Sequence, residues 1–371
     1  MICFMRAIAI TPGTNGARIV ERPEPEISAP DEVKVKIVRV GICGTDREEL
    51  SGGRADAPEG QQELVIGHEM LGQVVGVGAA VTRVKAGDYA VFTVRRGCKE
   101  CAPCLMDRAD MCQTGNYRER GIKGLDGYQT EFAVDREQYI IRIPDALESV
   151  AVLMEPLSIV EKAIDETLRV QIARDPVAAT IPDWIFGRRC LVAGLGPVGL
   201  LAAMVLQLRG GEVYGLDVVD AASARPSWLT GIGGHYLDGR QIPASLVEKN
   251  IGAMDLIVDA SGIASLEFDL LEALARNGAY VLTGIPGGDH PIQVQGAALI
   301  RQLVLDNQVM LGSVNAARGH FQMGADDLEH AHLRWGTHLD KLITQRFKPE
   351  QFAASSDQHD PDSIKQVVEW A

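Results

Sequence analysis

No tract of this 371-residue sequence is polar enough for a long disordered tail, no segment repeats, and no low-complexity stretch interrupts it. Positive charge is also scarce: 36 lysines and arginines face 50 aspartates and glutamates, a net charge of −14 with no basic stripe to offset it. That balance repels nucleic acid and anionic lipid, so neither is an expected partner. No basic leader precedes "MICFMRAIAI", which carries Arg6 in its middle, so a secretion signal is not expected. One charge-free run, residues 190–208, approaches the length that a bilayer core of about 30 Å demands, but it contains three glycines and a proline. A strand, a glycine turn and a buried helix explain it better than a membrane span, and the expected location is the cytoplasm.

What is present is enough for two domains, because a single core rarely grows beyond roughly 250 residues. "VKVKIVRV" at residues 33–40 alternates as a half-buried strand does, and residues 72–92 mix valine with glycine turns, so the first part of the chain reads as β-rich. Beyond Pro156, helical patterns alternate with the short apolar runs "EVYGLDV", "MDLIVDASG" and "GAYVLTGIPG", which implies an α/β fold with a parallel sheet. Residues 169–188 read as a linker and cap, and the last fifty or so residues as helical and charged.

"GLGPVG", formed by Gly194, Leu195, Gly196, Pro197, Val198 and Gly199, fits the dinucleotide-binding pattern between a strand candidate and a helix candidate. Gly194 allows the tight turn, Gly196 lets backbone approach a pyrophosphate, and Gly199 lets helix and strand pack closely. Pro197 suits the first helical turn. A second strand candidate ends at Asp217, near the spacing expected for the acid that accepts ribose hydroxyls. Its charge opposes a 2′-phosphate, so NAD is expected over NADP.

The seven cysteines are an odd number, and four of them fall in "CKECAPCLMDRADMC". Cys98, Cys101, Cys104 and Cys112 have the spacing C-x2-C-x2-C-x7-C, which lacks the shorter last gap and following proline of bacterial ferredoxin loops. Four thiolates close a tetrahedral zinc shell and leave no position for substrate, so this loop reads as a structural clip, with an iron–sulfur cluster or free thiols as the other readings. An incomplete shell is available elsewhere. Cys43 in "GICGTD" and His68 and Glu69 in "VIGHEM" supply thiolate, imidazole and carboxylate, a set that zinc accepts in catalytic sites. Glu155, set in the apolar "LMEPLSIV", is a further candidate, since a buried carboxylate needs a partner such as a cation. Cys3 and Cys190 read as packing residues, and His330 and His332 as surface residues.

Taken in order, "GICGTD", "GHE", the four-cysteine lobe and "GLGPVG" resemble the zinc-containing medium-chain dehydrogenase/reductase superfamily over essentially the whole chain. The resemblance implies a GroES-like catalytic domain over residues 1–160 carrying the lobe at 98–112, a Rossmann domain over 161–310, and a segment 311–371 returning to the catalytic domain. It implies one catalytic zinc among Cys43, His68 and Glu69 and one structural zinc in the lobe, with Glu69 a direct or exchanging ligand. Glu155 stands where the alcohol dehydrogenases of the family have a second cysteine, which points to the polyol and sugar branch. Within that branch, "RRGC", "ERGIKGLDGYQTEF" and "NQVMLGSVNAARGHF" are similar to the glucose 1-dehydrogenases. By that likeness Glu119, Glu155 and Asn315 line the sugar and nicotinamide pocket, and Thr45 relays the substrate proton.

The expected activity is therefore oxidation of the anomeric hydroxyl of an aldose, glucose foremost, to the lactone, with NAD preferred and NADP possible. The alternatives are a polyol dehydrogenase of the sorbitol or threonine type and a non-catalytic NAD-binding protein. A homo-oligomer, dimer or tetramer, is expected.

Overall fold

The computed structural model describes residues 3–181, 183–288, 291–352 and 363–371. The chain divides into two compact units. One comprises Met1–Ser158, Asn315–Leu333 and Leu339–Ala371, the other Ile159–Val314 and Arg334–His338.

The alternation in residues 33–40 builds the central strand of the first unit, Glu32–Ile42, in which Val33, Val35 and Ile37 are wholly buried. It pairs antiparallel with Glu69–Val77, with Phe132–Arg136 and with Lys365–Glu369. Tyr89–Phe92 and Ile140–Ile143 extend this seven-stranded sheet on one side and Ile343–Phe347 on the other. A separate small sheet of Arg95–Arg96, Arg118–Arg120 and Gly124–Leu125 brackets the four-cysteine loop.

Two expectations for chain segments are corrected. Residues 169–188 are not all linker, because helix Met154–Arg174 runs to Arg174 before a short turn at Ala178–Thr180. Among its described residues the C-terminal segment is helical in Arg318–Trp335 and the turns beyond it, whereas Ile343–Phe347 and Lys365–Glu369 are strands. "KQVVE" becomes a strand because Gln366 sits opposite Ile42 and Glu369 opposite Arg39, an edge that only the folded chain offers. Tertiary pairing overrides local pattern here.

The second unit holds a six-stranded sheet whose neighbouring strands all run parallel. Numbered along the chain as Arg189–Ala193, Glu212–Asp217, His235–Asp238, Met254–Asp259, Leu274–Leu282 and Val309–Gly312, the strands lie in the order 3-2-1-4-5-6. This is the doubly wound arrangement, with a crevice at the carboxyl ends of the strands where the order reverses. The charge-free run resolves into the first strand and helix Pro197–Leu208, most of whose side chains are buried. Arg334–His338 joins this unit because His338 stacks on Trp228 at 5.5 Å, while the Trp228 indole donates to the His338 carbonyl at 3.0 Å.

Candidate active site

Cys43 follows the central strand and caps helix Gly44–Leu50. Its Sγ accepts from the Thr45 amide at 3.1 Å, while Asp46 Oδ2 accepts from the Cys43 amide at 2.7 Å. This reciprocal cap, set by the spacing of Cys43 and Asp46, fixes the direction of the sulfur. His68 Nε2 lies 3.2 Å from it, and donor atoms of Cys43, His68 and Glu69 all fall within 4.8 Å of one another. Two ligands on one tetrahedral zinc are separated by about 3.6 Å, so the Cys43–His68 pair fits that ion.

The charges of this set are coupled. Burial pushes the Cys43 thiol up, whereas for His68 burial is overcome by Cys43 and Asp46, which draw the imidazole well above its ordinary value. A divalent ion would replace that proton-sharing pair with thiolate and neutral imidazole. Behind the ring, Asp46 Oδ1 stands 4.0 Å from His68 Nδ1 without a hydrogen bond. A carboxylate behind a ligating histidine orients it and sets its tautomer.

Three neighbours were not legible in the sequence. Asp46 is one. Another is Glu49, 1 % exposed, whose carboxylate oxygens have no hydrogen-bond partner among the described residues and whose pKa is pushed up to about 9 by burial and then by Asp46. The third is Lys365, whose Nζ pairs with Glu69 Oε2 in a contact sealed from water. Glu155 lies in the first turn of helix Met154–Arg174 and is not part of the set of donors mutually within 4.8 Å. Burial raises it to about 7, with His68 opposing and Glu69 adding to the shift. Thr45 is half-buried, and its hydroxyl has no partner among the described residues.

The four lobe sulfurs, Cys98, Cys101, Cys104 and Cys112, also converge within 4.8 Å. None is in a disulfide. Hydrogen bonds from Thr114 and from the amides of Cys101 and Glu100 hold the Cys98 thiol below its usual value. Donated amides of this kind suit a thiolate ligand, and four sulfurs on one loop match a closed tetrahedral shell.

Beside the lobe, Glu119 Oε1 accepts from Arg95 Nε at 3.0 Å, from Arg95 Nη2 at 2.9 Å and from Asn315 Nδ2 at 2.7 Å. Glu119 and Asn315, distant in sequence, thus form one polar group. In the second unit, Gly194 has φ +83°, and a Cβ there would meet Ser261 Cα at 2.9 Å. A Cβ on Gly199 would collide with the Gly194 carbonyl, whereas one on Gly196 would meet open space, as a position facing a ligand requires. Pro197 and Val198 open the helix. Asp217 closes the second strand, accepting from the Leu195 amide at 2.9 Å and the Val218 amide at 2.7 Å, with Arg225 Nη1 3.5 Å from its Oδ2.

No helix among the described residues is long and apolar enough to cross a membrane. A family model described as "Alcohol dehydrogenase GroES-like domain" matches residues 29–145, and one described as "Glucose dehydrogenase C-terminus" matches residues 148–370. The glucose 1-dehydrogenase of Methanocella arvoryzae is 35% identical over 98% of this chain and 99% of its own. Glucose 1-dehydrogenase 1 of Caldivirga maquilingensis is 38% identical, again over 98% and 99%. A solved structure of Haloferax mediterranei glucose dehydrogenase in complex with NADP, Zn and gluconolactone matches with a TM-score of 0.87 at 33% identity, covering 99% of each chain.

Proposed function

The chain belongs to the glucose dehydrogenase family of medium-chain dehydrogenases, and from that premise we propose that it oxidises the anomeric hydroxyl of an aldose, glucose foremost, to the lactone. The observation that carries the reading is the contrast between two donor sets: four thiols gathered in the lobe, and three donors at Cys43, His68 and Glu69, one short of a tetrahedral shell.

Cys43, His68 and Glu69 would hold a zinc ion, which would supply Lewis-acid stabilisation of developing negative charge, and residues 194–199 would hold NAD(P), which would supply the hydride acceptor. The chain's own residues do the rest. Cys43 and His68 would hold the metal through sulfur and nitrogen, and Glu69, paired with Lys365, would supply the third donor, an oxygen. Thr45, its amide anchored on Cys43 Sγ, presents a hydroxyl that takes the sugar proton and passes it toward solvent. Glu155 and the Glu119–Asn315 group bind sugar hydroxyls.

NAD is the preferred cofactor, because the Asp217 carboxylate opposes a 2′-phosphate; Arg225 beside it leaves NADP as the second. The thiol-rich metal sites fit a reducing cytoplasm. Exposed Ile300, Val304 and Leu305 on helix Gly296–Leu305 support a homo-oligomer, dimer or tetramer. The test is the initial rate of nicotinamide reduction by metal-replete protein on glucose, galactose, xylose and sorbitol, each with NAD and with NADP. Aldose oxidation is expected; turnover of sorbitol alone moves the activity to polyols, and no turnover overturns the reading.

A further inference from the structure

We propose that Arg95 is a positioning residue for sugar recognition, holding Glu119 so that one carboxylate oxygen is saturated and the other is presented to a substrate hydroxyl. This rests on the reading of Glu119 as a sugar-binding residue.

Arg95 and Glu119 are directly opposed across the antiparallel strand pair of the small sheet. The guanidinium is buried, and both its Nε and its Nη2 donate to the same oxygen, Oε1, which also takes the Asn315 amide. Three donors fill that oxygen. Oε2 accepts no hydrogen bond among the described residues, and Glu119 keeps 8 % of its surface exposed. A carboxylate anchored at one oxygen and open at the other is a pre-oriented acceptor, and its affinity for a hydroxyl comes from not having to be ordered on binding.

Arg95 is itself held on three sides. Its Nη1 donates to the Asp110 carbonyl at 3.1 Å, and its guanidinium lies 3.8 Å from the centre of the Tyr117 ring. Lys123 approaches the same ring at 4.3 Å. Asp110 sits in the turn Ala109–Met111, immediately before the last lobe cysteine, Cys112. The fork therefore ties the sugar acceptor to the four-cysteine loop. A lysine in place of Arg95 has one nitrogen and no planar fork, so it can meet Glu119 but cannot hold Asp110 with the same geometry.

The test uses Arg95→Met, Arg95→Lys and Glu119→Ala in the full-length, metal-replete chain, with glucose and a panel of monodeoxyglucoses, after circular dichroism has established folding. Losing an oriented charged acceptor is expected to raise the glucose KM by about 10- to 100-fold while the KM for NAD stays put. Discrimination between glucose and at least one deoxyglucose falls in Arg95→Met and is partly restored in Arg95→Lys. In the Glu119→Ala background, Arg95→Met adds nothing further to the glucose KM. A raised KM in Glu119→Ala with an unchanged KM in Arg95→Met overturns the positioning role alone. An unchanged glucose KM in Glu119→Ala overturns the sugar-binding reading of Glu119, and the positioning role falls with it.

Discussion

Lys365 Nζ and Glu69 Oε2 form an ion pair in the interior of the first unit, the lysine 1 % and the glutamate 2 % exposed. Gly41 makes room for both side chains: a Cβ there would meet Glu69 Oε2 and Lys365 Cε. The C-terminal strand thus brings a positive charge against a carboxylate that belongs to the proposed metal shell.

Lys365→Met is expected to destabilise the protein by about 3–5 kcal/mol, since it strands a buried carboxylate. Adding Glu69→Gln recovers part of that loss by removing the stranded charge. Denaturant unfolding of the single and double variants checks this; a double variant no more stable than Lys365→Met excludes unpaired charge as the cause.

The two donor sets predict separable metals. Metal-replete protein is expected to hold about two zinc ions per chain. Cys43→Ser loses one ion and turnover but little thermal stability, whereas Cys98→Ser loses the other and lowers the melting temperature. Because the Asp110 carbonyl holds Arg95, loss of the lobe ion also raises the glucose KM. Metal analysis beside thermal melts decides the matter: a Cys43→Ser protein that retains both ions contradicts the assignment.

How far the sequence carried these sites depended on the distance between their parts. The glycine turn was legible because its requirements are local: Gly194 must adopt φ +83° and Gly199 must lie against the Gly194 carbonyl. Cys43 and His68 were suggested by residue type alone, and strand pairing brings them to 3.2 Å. Lys365 was hidden, because lysine is rarely buried and its partner strand lies more than three hundred residues earlier. The same holds for Arg95, whose consequential contact, Glu119 across the small sheet, lies on the far side of the lobe in sequence.

Cofactor choice turns on charge at Asp217. Asp217→Asn keeps an oxygen for the Leu195 or Val218 amide but removes the negative charge, leaving Arg225 the dominant charge at this position. The ratio of kcat/KM for NADP to that for NAD is expected to rise by about 10-fold, a change of about 1.4 kcal/mol. Adding Arg225→Gln reverses the gain. Initial rates with both cofactors measure it, and an unmoved ratio in Asp217→Asn removes Asp217 from cofactor selection.

Acid stability should depend on Asp135. Burial alone would raise its pKa, but Arg120 and Arg96, at 2.6 and 2.7 Å, overcome that and hold it down at about 2 against an ordinary 3.8. The folded state therefore keeps this carboxylate ionised where the unfolded chain takes up a proton. The resulting contribution, about 2 kcal/mol, is complete above the unfolded value and is lost as pH falls through about 4 toward about 2. Asp135→Asn carries no such charge, so it should be less stable than the parent near neutral pH yet lose less of its stability across that acid interval. Urea midpoints followed through the interval test the sign: equal acid slopes in parent and variant would mean that the two arginines do not hold Asp135 ionised in the folded state.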